Sequence, residues 1–341
     1  MAYNTNWLNL VQEKPLEPKL PICDPHHHLW EFRHERVAHR YLLEEILEDV
    51  QGGGHNIVST VFIECGAMYR KSGPKHMRCV GETEFVNGVA AMAASGLYGK
   101  TQVAAGIVGT ADLTRGCRAG AVLDAQIVAG GGPKGRFKGI RHSASWDADP
   151  IIPKGRLNPG KGLYLDKTFR EGFAELAPRN LSFEGWCYHH TIPDLTDLAK
   201  AFPDTTIILN HFGGPLGIGP YEGQQDEIFK TWRKDITELS KCPNVVAKLG
   251  GLNMEMNGFG FQHRPLPPTS DELVAAYRRY FEHTIDKFGP DRCMFESNFP
   301  VDMVSCSYTV LWNANKKMAK GASAKEKAAL FHDTATRIYK L

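Results

Sequence analysis

One pattern repeats eight times along this chain of 341 residues. A short apolar run, rich in β-branched residues, is followed each time by a longer stretch with helical spacing. The runs cover residues 20–28, 56–65, 102–109, 137–143, 181–190, 205–211, 244–251 and 292–299. Strands that alternate with helices pair in parallel, because each helix returns the chain to the same end of the sheet. Eight such units in series predict an α/β fold of the (β/α)8 TIM barrel type, regular or distorted.

Three further details refine this prediction. No GxGxxG motif follows the first run, which disfavours an open dinucleotide-binding sheet. Irregular segments at 143–165 and 251–269 follow the fourth and seventh runs, so we expect long loops and candidate lids at the carboxyl end of the barrel. A last helical stretch at 323–341 predicts an extra C-terminal helix. We expect 1–19 to form an N-terminal extension and 20–341 a single barrel domain.

The composition excludes some classes of partner. The formal net charge is only +2, so bulk charge does not indicate binding to nucleic acid or to a membrane surface. No apolar run approaches the roughly 20 residues of a spanning helix, and the first residues do not resemble a signal peptide. The eight cysteines are scattered without a CxxC pair. We therefore expect a cytoplasmic protein with reduced thiols, a small-molecule substrate and a homo-oligomeric state of two or more copies.

Ionisable side chains are concentrated where the apolar runs end. In a TIM barrel the active site lies at the carboxyl ends of the strands, so these residues are the candidates for chemistry. Six of the 14 histidines end the first, fifth or sixth run, and His142 ends the fourth. The candidates in chain order are His26, His27, His28, Glu64, Arg141, His142, His189, His190, Asn210, His211, Lys248, Glu296 and Asn298.

The three histidines of the first run are not equivalent. Side chains alternate along a strand, so His26 and His28 face one side and His27 faces the other. Two imidazoles on one face can chelate one divalent ion, although a pair of ordinary hydrogen-bonded residues is the alternative. The histidines that end other runs favour the metal site.

Motifs in four of the runs resemble those of a known family. The stretch "DPHHHLW" resembles the D-x-H-x-H signature of the amidohydrolase superfamily, and "GIRH", "NHFGGP" and "FESNFPVD" agree with it at the fourth, sixth and eighth strands. Together they resemble the amidohydrolase-2 group, which includes 2-pyrone-4,6-dicarboxylate lactonase, sugar-acid lactonases and 4-sulfomuconolactone hydrolase. The resemblance extends from about residue 20 onward and implies a TIM-barrel hydrolase, with or without a metal requirement.

The resemblance implies roles for the histidines. His26 and His28 match the metal-binding pair of strand 1, and His211 matches the strand 6 histidine, which we place among the catalytic residues. His189 or His190 matches the strand 5 histidine. Neighbouring residues face opposite sides, so only one of these two can be a ligand, and we prefer His189.

Several residues are candidate contacts for an anionic substrate. Arg141 matches a basic residue that faces the substrate in the lactonases, where a guanidinium can hold a carboxylate through two hydrogen bonds. A salt bridge to a barrel carboxylate is its alternative role, and Lys248 has the same two alternatives. The further candidates are His142 and His190 at strand ends, and Trp146 and Arg264 in the long loops.

The eighth run departs from the family pattern. The family usually ends strand 8 with S-D-W-P, whose aspartate activates water, whereas this chain has Asn298 at that position. A neutral amide cannot accept the proton. Three carboxylates are candidate replacements, ranked Asp302, Glu64 and Glu296, of which Glu296 is also a candidate metal ligand. The alternative roles are a helix cap for Asp302 and a buried ion pair with Arg70 or Arg141 for Glu64.

These residues lead to three hypotheses. The first is a hydrolase that opens a lactone of a small carboxylated compound, such as an aromatic ring-cleavage product or a sugar acid, by means of activated water. A divalent metal, with zinc as our expectation, would polarise the carbonyl, although the group also includes metal-independent enzymes. The second is a metal-dependent decarboxylase of an aromatic or muconate-type acid. The third is a non-catalytic barrel that binds a small acid.

Overall fold

Eight parallel strands form one sheet in which each strand pairs with the next along the chain. The computed structural model describes residues 4–31 and 40–341. The strands are β1 Pro21–His27, β2 Asn56–Ile63, β3 Gln102–Gly109, β4 Phe137–Arg141, β5 Ser182–Gly185, β6 Ile207–Leu209, β7 Val245–Leu249 and β8 Cys293–Phe295. A parallel bridge joins His27 to Phe299, and the His28 N–H donates to the Phe299 carbonyl at 2.8 Å. Because this contact brings the first and last strands together, the predicted TIM barrel is confirmed.

Helices connect the strands and surround the sheet. They are α1 Thr5–Leu8, α2 Leu43–Gly52, α3 Val80–Ala94, α4 Ala119–Ala129, α5 Lys167–Phe173, α6 Ile192–Ala201, α7 Gln225–Leu239, α8 Ser270–Phe288, α9 Tyr308–Met318, α10 Ala324–Ala328 and α11 Thr334–Tyr339. A π-helical turn at Ala329–Asp333 joins the last two helices. Reciprocal capping fixes where α8 begins: Thr269 and Glu272 each accept a hydrogen bond from the other's backbone N–H. Among the described helices, none combines the length and the apolar character needed to cross a membrane.

Every strand except β3 is shorter than its apolar run, and β5, β6 and β8 are shortened most. The pairing of β5 with β6 ends at Gly185 and Leu209, and beyond that point no neighbouring strand continues the ladder. His189 and His211 therefore each begin a short 3-10 helix. The prediction that the fifth strand extends to residue 190 is wrong, and this changes the position of its histidines.

The amino end of the barrel is closed from below by α11. Tyr339 and Ala335 pack against inward-facing residues of the strands and are fully buried. The residues of this cluster are Cys23, Val61, Ile63, Val108, Ile208, Val246, Met294, Ala335 and Tyr339. Lys138, near the start of β4, donates to the Lys340 carbonyl, which places the chain end at the amino side of the sheet. The predicted C-terminal helix thus leaves only the carboxyl side of the barrel open to a ligand.

The N-terminal segment packs on the outside of the barrel. The Lys316 ammonium in α9 donates to the Leu16 carbonyl at 2.7 Å, and the Trp7 indole donates to the Arg264 carbonyl at 3.0 Å. The second contact joins the start of the chain to the long loop after β7. The domain boundary at residue 19 stays a prediction.

Candidate active site

Two histidines converge on one buried glutamate at the carboxyl end of the barrel. His211 Nδ1 lies 2.7 Å from Glu296 Oε1, and His26 Nδ1 lies 2.7 Å from Glu296 Oε2. One ligand-type atom from each residue falls within 4.8 Å of the others, which makes these three a candidate metal-binding group among the described residues. They come from β1 and from the segments that directly follow β6 and β8, so the barrel itself brings them together.

The chemistry of this group fits a divalent metal ion. Glu296 Oε2 is buried and has no hydrogen-bond partner, because the close approach of His26 lacks hydrogen-bond geometry. Burial, followed by the positive charge of Lys248, holds the pKa of His26 well below its usual range. His26 is therefore neutral, as a metal ligand must be. Two imidazoles and a carboxylate are a common ligand set for zinc.

Two glycines let the β7 loop approach this group. A Cβ at Gly251 would lie 2.1 Å from His211 Nδ1, and a Cβ at Gly250 would lie 2.4 Å from Glu296 Cγ. Gly251 also has φ of +76°, which disfavours any other residue. The "GG" that ends the seventh run is therefore a signal for the site that sequence reasoning missed.

His28 and Asn298 form a second layer of the site, nearer the open end. His28 Nδ1 lies 2.8 Å from the Ile63 carbonyl and therefore donates to it, which turns Nε2 toward the Asn298 Oδ1 atom at 3.4 Å. The rings of His26 and His28 lie 5.0 Å apart, so the predicted common face is present. His27 instead contacts Thr60 at 2.9 Å, on the other side of the strand.

Asp302 supports Asn298 from behind. Its Oδ1 atom accepts a hydrogen bond from Asn298 Nδ2 at 2.7 Å, and its Oδ2 atom accepts one from Asn253 Nδ2 at 3.1 Å. Burial raises the pKa of Asp302 to about 7. The carboxylate is fully buried and is not part of the cavity wall. The highest-ranked candidate base thus reaches the ligand space only through Asn298.

Glu64 lies at the cavity wall and is paired with Arg141. The Arg141 Nε donates to Glu64 Oε1 at 2.9 Å, and its Nη2 donates to the Glu64 carbonyl at 2.6 Å. The ion pair considered for Glu64 is present with Arg141, whereas Arg70 pairs with Glu84. Because both Glu64 and Arg141 line the cavity, this pairing leaves each of them accessible to a ligand.

Arg156 is a cavity residue that sequence reasoning missed. Its Nη1 lies 3.6 Å from Glu64 Oε2, and its Nη2 donates to the Tyr69 hydroxyl at 3.2 Å. The guanidinium lies against Gly66, where a Cβ would be 1.8 Å from Nη2. The signal was a glycine directly after strand 2 and an arginine in the predicted lid, but no sequence spacing links the two.

Lys248 does not contact the ligand space. Its ammonium is fully buried and lies 3.0 Å from Glu184 Oε2. The Tyr339 hydroxyl also donates to Glu184, and Lys248 Nζ lies 3.5 Å from His26 Nδ1. Of its two predicted roles the structure supports the carboxylate pair, because Lys248 is completely buried and does not line the cavity. Glu184, which the sequence placed inside a strand, was not recognised as its partner.

The remaining predicted contacts also lie away from the cavity. His142 accepts a hydrogen bond from the Leu113 N–H and packs on Phe169 outside the sheet. Arg264 pairs with Glu272 at the start of α8. These two placements correct the prediction that both residues contact substrate, since one side chain faces the helical layer and the other faces the protein surface.

The fifth-strand histidines and Trp146 form a separate cluster. His189 accepts a hydrogen bond from the Leu216 N–H at 3.4 Å and packs edge-on against Tyr221. His190 contacts the Trp146 carbonyl at 3.1 Å and stacks on Tyr221. None of these lines the cavity, and His189 is not in the candidate metal group. The preference for His189 as a ligand is corrected, because β5 ends four residues before it.

The cavity above the site has a volume of about 850 Å³. Its floor includes His28, His211 and Asn298. Both predicted lid segments contribute, through 151–157 after β4 and 254–256 after β7. The other lining residues are Glu64, Tyr69, Thr110, Arg141, Ser143, Ser145, Trp186, Tyr188, Ile218, Val301 and Val304.

One buried aspartate ties the two ends of the sheet together beneath this floor. Asp24 accepts hydrogen bonds from the Ser297 N–H at 3.0 Å and from the Tyr308 hydroxyl at 2.9 Å. Burial raises the pKa of Asp24 to about 6. The aspartate of the D-x-H-x-H motif, Asp24, therefore has a structural role, since it holds β1 against the segment that carries Asn298.

Comparison with known proteins places this geometry in a family. The amidohydrolase family model (Amidohydro_2) matches residues 23–341. The chain belongs to the amidohydrolase family. An uncharacterised protein, y4mH, of Sinorhizobium fredii is 33% identical over 340 residues, which cover 94% of this chain and 99% of that protein. The L-fucono-1,5-lactonase of Burkholderia multivorans is 27% identical over 208 residues, which cover 60% of this chain and 64% of the lactonase.

Solved structures share the fold of this amidohydrolase. An amidohydrolase from Burkholderia multivorans with bound zinc superposes with a TM-score of 0.69 at 22% identity, over 94% of this chain and 99% of that chain. The 5-carboxyvanillate decarboxylase of Sphingomonas paucimobilis has a TM-score of 0.53 at 11% identity, with the same two coverages of 94% and 99%. At these identities the comparison establishes the barrel and leaves the reaction open.

Proposed function

We propose that this amidohydrolase opens a lactone of a small carboxylated compound. The observation that carries the proposal is the placement of Arg141 and Arg156 on the cavity wall, beside a buried His–His–Glu group. A guanidinium binds a carboxylate strongly and with defined geometry. The lactonase relative from Burkholderia supports the same class of reaction.

The candidate metal group defines what a cofactor would add. His26, His211 and Glu296 would hold the ion, for which zinc is our proposal because of the ligand set and the zinc-bound neighbour. Bound there, a divalent ion supplies Lewis acidity for the carbonyl and for water. Metal analysis of the purified protein by mass spectrometry tests this, and about one equivalent of zinc is expected.

The chain's own residues supply the remaining steps. Arg141 and Arg156 orient the substrate carboxylate, and Asn298 donates or accepts at the cavity floor in an orientation that Asp302 holds. Glu64 and Glu255 are the carboxylates that line the cavity, and Glu64 is buried whereas Glu255 is exposed. We assign Glu64 to accept the proton as water attacks the lactone carbonyl. The bond between the carbonyl carbon and the ring oxygen then breaks, and the alkoxide takes up the proton that Glu64 accepted, which gives a hydroxy acid.

Acid release from a panel of carboxylated lactones tests the reaction. We expect hydrolysis by the wild type and a loss of about 10²–10⁴-fold in kcat for Glu64→Gln, the range typical of general acid–base catalysis. Glu84→Gln, at a glutamate that pairs with an arginine on the surface, is the matched control and should retain activity. Full activity of Glu64→Gln would show that Glu64 is not the base and would favour Asp302 in that role.

One observation favours decarboxylation as a second candidate. The cavity floor has Asn298 where the family usually has an aspartate, and decarboxylation requires no activated water. CO₂ release from carboxylated aromatic acids tests this alternative. Release of CO₂ without hydrolysis of any lactone would replace the first proposal.

A further inference from the structure

The two sides of the cavity differ in chemistry. Glu64, Arg141 and Arg156 form a charged wall on the side of β2 and β4, in which the two arginines lie 2.9 Å and 3.6 Å from Glu64. A second wall comes from the loops after β5, β6 and β7, and apart from Glu255 it is mainly apolar. We call it the apolar wall, and its residues are Trp186, Tyr188, Ile218 and Met256.

The apolar wall is built on a buried core of its own. Tyr188 packs with Ile152 and Leu216, and each of these three is about 1% exposed. Trp186 contacts Tyr188 edge-on with ring centres 5.8 Å apart. Protein interiors are close-packed, so this surface exists before a ligand binds.

The apolar wall also reaches the candidate metal group. The ring of Trp186 lies 4.9 Å from the ring of His211 in an edge-on contact. A ligand whose reactive group lies at the floor of the cavity therefore extends directly along this wall.

Several hydroxyl groups that line the cavity are hydrogen-bonded within the protein. The Tyr188 hydroxyl donates to the Pro153 carbonyl, and Thr110 donates to the Arg141 carbonyl at 2.8 Å. Ser143 and Ser145 hydrogen-bond to each other at 2.6 Å. A ligand with many hydroxyl groups would lose hydrogen bonds to water along this wall without replacing them, which is unfavourable.

We infer that the cavity takes an amphiphilic carboxylate whose aryl or alkyl part lies against the apolar wall, rather than a polyhydroxylated sugar acid. Its carboxylate faces Arg141 and Arg156. The volume of about 850 Å³ is near the top of the usual range of about 300–1,000 Å³ for ligand pockets, which suits such an extended ligand. That the natural ligand is a lactone rests on the proposed function, but the inference about its shape and polarity concerns binding alone.

Calorimetric titration of the intact protein with two carboxylates of similar size tests the inference. We expect 3-phenylpropionate to bind at least tenfold more tightly than gluconate. Met256→Ser should weaken binding of 3-phenylpropionate about five- to tenfold, since part of a methionine side chain's burial is lost, and should leave gluconate unchanged. Met256→Leu should restore the wild-type affinity.

Leu266→Ser is the matched control. Leu266 is an exposed apolar residue of the same long loop that does not line the cavity, so this variant should bind both acids like the wild type. Equal or tighter binding of gluconate, or no measurable binding of either acid, would overturn the inference. Preferred binding of 3-phenylpropionate without turnover of any lactone would instead reject the proposed function and keep the inference.

Discussion

Two ion pairs connect strands of this barrel, and they differ in what surrounds them. Lys248 and Glu184 join β7 to β5 with both side chains completely buried. Arg141 and Glu64 join β4 to the end of β2 with about a tenth of each side chain exposed, and both face the cavity. The first pair is part of the barrel's interior, whereas the second can exchange a protein partner for a ligand.

Depth along the strand does not explain this difference. Arg141 and Glu184 are register partners in adjacent strands, so their Cα atoms hold matching positions along β4 and β5. The long Arg141 side chain turns toward Glu64 and the cavity, while Glu184 turns toward Lys248 and Tyr339. The partner of each charge, rather than its position in the strand, decides whether it serves the interior or the ligand.

The strongest test of this comparison removes the cation of the buried pair. Lys248→Met leaves Glu184 as an uncompensated buried charge, so we expect the free energy of unfolding to fall by about 3–5 kcal/mol. Urea unfolding followed by circular dichroism measures it. The double variant Lys248→Met/Glu184→Gln removes both charges and should recover most of the loss. A loss below about 1 kcal/mol in the single variant would show that Glu184 is not held by Lys248.

Removing the cation of the other pair, Arg141 with Glu64, should weaken substrate binding more than it lowers stability. Arg141→Met removes the guanidinium that we assign to the substrate carboxylate, and we expect kcat/KM to fall about 10²-fold, or about 2.7 kcal/mol. The loss should appear mainly in KM. Arg141→Lys should not restore it, because an ammonium lacks the planar fork. A stability loss as large as that of Lys248→Met, with KM unchanged, would remove the distinction between the two pairs.

Asp302 presents a third case, a buried carboxylate held by two asparagines. Since Asp302 reaches the cavity only through Asn298, we expect Asp302→Asn to lower kcat by about tenfold, near 1.4 kcal/mol, rather than to abolish activity. A loss above about 10³-fold would show that Asp302 moves into the cavity and acts as the base itself.

The raised pKa of Asp302 also predicts how the stability of the folded state changes with pH. Burial raises it from 3.8 to about 7, so the folded state holds this proton where the unfolded state has released it. Stability from this group is therefore greatest below about pH 4 and decreases as the pH rises toward 7. We expect the stability of the wild type relative to Asp302→Asn to fall between pH 4 and pH 7 in urea unfolding. A rise over that range would contradict the assignment.

The sequence alone predicts the barrel and part of the site, and the reason lies in what a local pattern contains. The eight apolar runs and the alternation that pairs His26 with His28 are periodic features, and periodicity is readable from one chain. These expectations agree with the structure. Of the residues predicted to bind a metal, His26 and Glu296 lie in the candidate metal group, whereas His28 does not.

What could not be predicted depends on contacts between distant segments. The sequence pattern cannot show that β5 ends at Gly185, because that limit is set by where β6 stops pairing with it. It cannot show that Lys248 pairs with Glu184, or that Arg156 lies against Gly66, because these partners are far apart in the chain and no local pattern links them. The residues of the cavity walls are therefore less predictable from the sequence than those of the cavity floor.

The smallest effect is expected at Arg264. The sequence predicts that Arg264 contacts substrate from a lid, whereas the structure places it away from the cavity. Arg264 pairs with half-buried Glu272 and does not line the cavity, so Arg264→Gln should change kcat/KM by less than twofold. Arg156→Gln, in the other long loop, should raise KM about tenfold, because Arg156 lines the cavity beside Glu64. Steady-state kinetics of both variants compares the same substitution at the two positions. An equal rise in KM for Arg264→Gln would show that the loop after β7 closes over the bound substrate and brings Arg264 to it.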